Sequence, residues 1–98
     1  MFAFHAVGFD WDEANAGHCR KHGMERAEIE SVFHQQPLVA PDPKHSVHEA
    51  RFVAAGRTSK GRAAFVVFTM RGDRIRPLSA RYMHAKEARK YGSQGSDI

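Results

Sequence analysis

The sequence predicts an α+β fold in which two helices precede an antiparallel β-meander and a third helix closes the chain. Three observations lead there. The first third carries helix-period patterning with capping residues, a period-two pattern takes over from Val47, and Ala63 to Met70 form a continuous apolar run of strand length.

In chain order, Ala6-Val7-Gly8-Phe9 is a short apolar run that ends at Asp10 and reads as a brief first strand. Asp12 stands before Glu13-Ala14-Asn15-Ala16 as an N-cap, and that helix runs to Lys21 or His22, where Gly23 supplies a stop. The second helix spans Glu25 to Gln35, with Ile29, Val32, Phe33 and Gln36 on one face and Glu25, Arg26, Glu28 and Glu30 decorating its start. Pro37, Pro41 and Pro43 then predict an irregular loop through Asp42, Lys44 and His45.

From Val47 to Gly56, Ala50, Phe52 and Ala54 alternate with Glu49, Arg51 and Val53, as in a half-buried strand. Ala63 to Met70, rich in β-branched and aromatic residues, predicts a central strand covered on both faces. Arg74 to Arg81 is the third strand, and Pro77, which has no N–H for a ladder bond, requires an edge position or a bulge. His84 to Tyr91 reads as the last helix, stopped at Gly92.

At 98 residues the chain has room for one domain, expected over residues 1–92, with 93–98 a flexible Gly/Ser tail. Apolar residues at 42% and charged residues at 27% are too varied for disorder, and no run reaches the length of a membrane helix. The N-terminus has no basic and long apolar stretch of secretory type, so a cytoplasmic location is expected. The single cysteine, Cys19, is expected to be a small buried hydrophobe.

The net charge of +4 is unevenly distributed. Residues 1–48 hold four Lys or Arg against seven Asp or Glu, and residues 49–98 hold eleven against four. Such asymmetry points to a nucleic acid or another acidic partner, or else to a solvated basic face.

His18 and His22, and His45 and His48, have ligand-like spacings, but they lack a third convergent ligand and any paired cysteines, so no metal and no cofactor is expected. There is no phosphate-binding Gly-rich loop, nucleophile elbow or acidic pair. A helix-turn-helix would need a recognition helix less acidic than Glu25 to Gln35. Arg20-Lys21-His22-Gly23 gathers proton-transfer and phosphate-binding groups at a helix end, where they could equally complement the helix dipole. Arg51, Arg57, Arg62, Arg74, Arg76 and Arg81 on or near the strands could converge with them. RNA cleavage without a metal needs a base, an acid and cations, and such a pocket provides all three.

Phe9-Asp10-Trp11-Asp12-Glu13-Ala14 followed by Lys21-His22-Gly23-Met24 resembles the opening of the BrnT family of bacterial type II toxins. Ile29-Glu30-Ser31-Val32-Phe33, His45-Ser46 with Glu49-x-Arg51-Phe52, Gly56-Arg57, Arg76 to Arg81 and Lys86-Glu87-x-Arg89-x-Tyr91 continue the resemblance in order across residues 9–91. It implies a RelE-like fold and a ribonuclease acting on RNA. It also implies a BrnA-like antitoxin that silences the toxin and binds DNA, and a dimer within the toxin–antitoxin complex. The alternative is a non-catalytic module of the same fold that binds RNA or antitoxin.

On this resemblance His22 is the acid–base group and Lys21 touches phosphate. Arg51 and Arg81 are the transition-state cations, oriented by Glu49 and Glu87, unless each arginine forms with its glutamate a salt bridge that only holds the fold. Arg57, Arg62 and Arg76 would contact the RNA backbone, and Tyr91 would stack on a base or serve as a core or lid residue. Trp11 is expected in the core.

Overall fold

The computed structural model, which describes residues 6–45 and 48–95, contains a five-stranded sheet and three α-helices. Along the chain these are β1 (Gly8–Phe9), α1 (Glu13–Cys19), α2 (Arg26–Phe33), β2 (Leu38–Pro41), β3 (Phe52–Arg57), β4 (Ala63–Arg71), β5 (Arg74–Tyr82) and α3 (Ala85–Gly95), with single 3-10 turns at Arg20–His22 and Pro43–His45. The sheet order is β1-β5-β4-β3-β2, with β1 parallel to β5 and the other neighbours antiparallel. The predicted meander is therefore β3-β4-β5, and β4 is its central strand.

Three boundaries differ from the sequence expectation. The loop expected after Pro37 contains β2, which pairs with β3 through Leu38↔Ala55 to Pro41↔Phe52. Proline is tolerated there because β2 is an edge strand with a neighbour on one side only. The expected strand start at Val47, like Ser46, Met1 to His5 and the tail at 96–98, lies outside the described residues; the strand begins at Phe52. Before it, the Ala50 carbonyl accepts the Thr69 hydroxyl at 2.6 Å. The last helix continues through Gly92 to Gly95, because a glycine permits a left-handed stop without imposing one.

Pro77 makes a bulge. Val67 pairs with Ser79 and Phe68 with Pro77, so Leu78 is an extra residue on β5. Side chains alternate faces along a strand, so one inserted residue reverses the facing of everything after it. Ile75 and Pro77 lie on the same face as Met70 and Phe68, turned towards the helices, whereas after the bulge Ala80 and Tyr82 take that face and Ser79 and Arg81 the other.

The helix-covered face forms the core. Ala54, Ala64, Val66, Phe68, Ile75 and Ala80 of the sheet meet Cys19, Met24, Ile29 and Val32, all 3% exposed or less. Phe33 sits edge-on between Phe9 at 5.7 Å and Phe68 at 5.1 Å. Gly56 allows α2 and the chain after it to approach closely, since a Cβ there would stand 3.3 Å from the Pro37 Cα. Trp11 packs on this core, donates its Nε1–H to Glu30 at 2.8 Å and carries Arg26 over its ring. Glu28, one of the charged residues decorating the start of the second helix, is only 6% exposed: its carboxylate accepts the Tyr82 hydroxyl at 2.7 Å and ties α2 to β5.

Asn15 ties α1 to the bulge. It forms a reciprocal capping box with Asp12, with Asn15 N–H to Asp12 Oδ1 at 3.1 Å and Asp12 N–H to Asn15 Oδ1 at 2.7 Å. Its buried side-chain NH2 donates to the carbonyls of Asp10 and Pro77, each at 2.9 Å. The last backbone bond from this end of the chain to β5 is the Asp10 N–H to the Ile75 carbonyl at 2.8 Å, and the asparagine amide supplies the next one, to Pro77. Arg76 reinforces the junction with Nη1 at 3.5 Å from Asp10 and 3.1 Å from Asp12.

Replacing Asn15 removes a cap and strands a buried carbonyl. Asn15→Ala is expected to lower unfolding stability by about 2 kcal/mol, read as a lower urea midpoint at unchanged slope. Asn15→Asp, which turns both donors into an acceptor facing two carbonyls, should cost at least as much.

Candidate active site

The described residues cover the sheet face opposite α1 and α2 only in part. Ala50 approaches it at Thr69, and α3 approaches it where Tyr91 meets the Phe65 ring edge-on at 5.2 Å. Between these lies a cavity of about 330 Å³, within the size range of small-ligand sites. Val53, Phe65 and Val67 form its floor with Ala80 and Ser79, and His22, Arg81 and Glu87 form its polar side.

His22 arrives from the other side of the sheet. Asn15 holds α1 along β5, the 3-10 turn Arg20–His22 packs on that strand, and Gly23 at φ +87° ends the turn. That left-handed conformation suits glycine and lets the chain reverse immediately after His22. Lys21, one residue earlier, is exposed.

Arg81 and Glu87 face each other as a bidentate pair. Arg81 Nη1 and Nη2 donate to the two Glu87 carboxylate oxygens at 2.8 and 2.9 Å, and Nη1 also donates to the Tyr82 carbonyl at 3.2 Å. Of the five donors of the guanidinium, these bonds take three and leave two for a ligand. The guanidinium carbon is 4.9 Å from the Phe65 ring centre, so the cation borders the apolar floor directly. The Arg81 hydrogen bonds, and then the His84 backbone N–H, pull the Glu87 carboxyl down from 4.5 to about 2, and Glu87 in turn raises the Arg81 guanidinium.

The other candidates lie elsewhere. Arg51 precedes β3, where its carbonyl accepts the Asp42 N–H, and it does not line the cavity. Glu49 reaches Arg71 at 3.3 Å, a pairing different from the one expected with Arg51; Arg71 extends from β4 beside the strand entry. Arg57 donates to the Gly61 carbonyl, and Arg62 lies 3.5 Å over the Tyr82 ring, both at the β3–β4 turn. Arg76, with a side chain 12% exposed, is committed to Asp10 and Asp12. Tyr91 braces Phe65. Cys19 is buried, and burial pushes its thiol up to about 11, which suits a packing residue. Among the described residues no three His, Cys, Asp or Glu side chains cluster as a metal site, and no helix is long and apolar enough to cross a membrane.

The apolar floor and Ser79 are the components that the residue patterns did not single out. Their signal was the change in apolar spacing from Ile75 and Pro77 to Ala80 and Tyr82, which marks the bulge and turns Ser79 and Arg81 to the same face.

A family model described as ribonuclease toxin, BrnT, of type II toxin-antitoxin system matches residues 11–87, spanning every strand from β2 to β5 and both His22 and Glu87. The chain belongs to the BrnT family. No individual curated protein matches it. A BrnT toxin acts on RNA as a ribonuclease and has an antitoxin partner.

The Arg81–Glu87 pair has a defined pH dependence. A carboxyl with a depressed folded-state pKa stabilises the fold while ionised, so its contribution is full above 4.5 and is lost as pH falls through about 2. Glu87→Gln should therefore be less stable than the parent chain at neutral pH, and urea unfolding should show the gap closing between 4.5 and about 2. A gap that is constant over this window would contradict the pairing.

Proposed function

We propose that the cavity on the open sheet face cleaves RNA without a metal, with His22 moving protons and Arg81 stabilising charge at phosphorus. The supporting observation is the convergence of His22 with the Arg81–Glu87 pair in one cavity, although the three residues come from three separate elements. Removing the proton from a ribose 2′-hydroxyl lets that oxygen attack the adjacent phosphorus. The bond to the 5′ oxygen of the next nucleotide breaks and that oxygen takes a proton, leaving a 2′,3′-cyclic phosphate and a 5′-hydroxyl. Imidazole is suited to such transfers near neutral pH. The two uncommitted Arg81 donors are available to the charge that builds on the phosphoryl oxygens.

Glu87 is the positioning residue, holding the guanidinium plane at the cavity edge. Lys21, exposed beside His22, contacts a neighbouring phosphate, and Arg51, Arg57 and Arg62 follow the strand outside the cavity. The sheet with helices on one face and a terminal helix on the other also supports kinship with RelE-type ribonucleases. A BrnA-type antitoxin would silence the toxin by covering the open face, with toxin copies paired in the complex.

Purified chain, free of antitoxin, should cut single-stranded RNA in the presence of chelator. His22→Ala should lower the rate by about a hundredfold or more, and Arg81→Ala by a similar factor, with both proteins folded by circular dichroism. Intact RNA after incubation with the parent chain, or undiminished cleavage by His22→Ala, would overturn the proposal.

A further inference from the structure

The cavity has two chemically distinct halves, and the proton-transfer and charge-stabilising roles use only one. His22, Arg81 and Glu87 occupy the polar half. The other half is a half-buried apolar floor of Val53, Phe65 and Val67 with one neutral polar group, the Ser79 hydroxyl. Apolar side chains left uncovered in a concavity cost free energy unless something occupies them in the working state.

The floor is held in place. Val53, Val67 and Ser79 lie side by side across β3, β4 and β5, through the pairs Val53↔Val67 and Val67↔Ser79. Phe65 pairs with Arg81 in the same ladder, and Tyr91 and the Arg81 guanidinium flank its ring. Ser79 lines the cavity on the same sheet face as Val67, and among the described residues its hydroxyl makes no hydrogen bond, so its donor and acceptor capacity are both uncommitted.

We propose that this half is a nucleobase subsite: one unpaired base of the RNA enters the cavity, lies on Phe65, and is read by the Ser79 hydroxyl. The inference rests on the RNA-cleaving reading of the same cavity and names the base as the group that fixes the cut. A base has an apolar face and a polar edge, which matches a floor of phenylalanine and valines beside a single hydroxyl. Its own phosphate then falls at the Arg81 and His22 side, so the base and the reacting bond are held by adjacent walls. Bases become available to stack on aromatic side chains only where the strand is unpaired, so the substrate is single-stranded.

The test uses oligonucleotides with one ribonucleotide in an otherwise 2′-deoxy strand, so that only one bond can be cut, and varies the base on that ribose. The parent chain should cut the four with unequal kcat/KM, and Ser79→Ala should compress the spread by about tenfold, the effect of one neutral hydrogen bond. A fully 2′-deoxy strand carrying 2-aminopurine at the same place reports stacking independently of cleavage. Its fluorescence should be quenched by the parent chain and much less by Phe65→Leu, which keeps the floor apolar while removing the ring.

Equal rates on all four bases, an unchanged spread in Ser79→Ala, or the absence of quenching would overturn the subsite. Cleavage with neither base dependence nor quenching removes the subsite and leaves the ribonuclease assignment standing. Quenching that depends on Phe65, without cleavage of any strand, supports the subsite and removes the catalytic proposal.

Discussion

The fold turns on the bulge in β5. Without Leu78 as an extra residue, the alternation that buries Ile75 and Pro77 would also send Ser79 and Arg81 towards the helices. An arginine facing Val66 and Phe68 would be a buried charge without a partner, at a cost of several kcal/mol. The bulge avoids this: Ala80 and Tyr82 enter the core side and Arg81 turns to the open face. Pro77 supports the interruption because it has no N–H to lose, and Asn15 captures its carbonyl. The same asparagine caps α1, so the element that carries the chain towards His22 is registered against the strand that carries Arg81.

Much of the positive charge is consumed by the fold. Arg76 binds Asp10 and Asp12, Arg71 binds Glu49, and Arg62 lies on Tyr82. Arg81 is paired as well, yet its bidentate partner immobilises it at the cavity edge and leaves two donors open. A half-buried pair of this kind adds only modestly to stability. Its value is in placement, since it holds a long side chain in one orientation at the cavity edge.

The helices and the meander were legible because their periods are local properties: Asp12 and Gly23 bracket the first helix and its final turn, and Ala63 to Met70 is too apolar for anything but a central strand. β2 was not, because two prolines mask an edge strand whose existence depends on pairing with β3. Glu28 reads as one of the charged residues at a helix start until Tyr82, 54 positions away, arrives to satisfy it. For the site, His22, Arg81 and Glu87 were accessible as residue types, and their convergence required the bulge. Arg76 looked the same as Arg81 in sequence. What separates them is the pair of aspartates that the parallel β1–β5 contact brings beside Arg76.

We propose that His22 and Arg81 form a single RNA site on the open face. It is tested most directly by following side-chain and amide NMR signals while a 2′-O-methylated, uncleavable RNA strand is added. The His22 imidazole, the Arg81 guanidinium and the Ser79 amide should shift together along one binding curve, while Arg76 stays still. Perturbations confined to the Arg57 to Arg62 turn, with His22 and Arg81 unmoved at saturation, would contradict it.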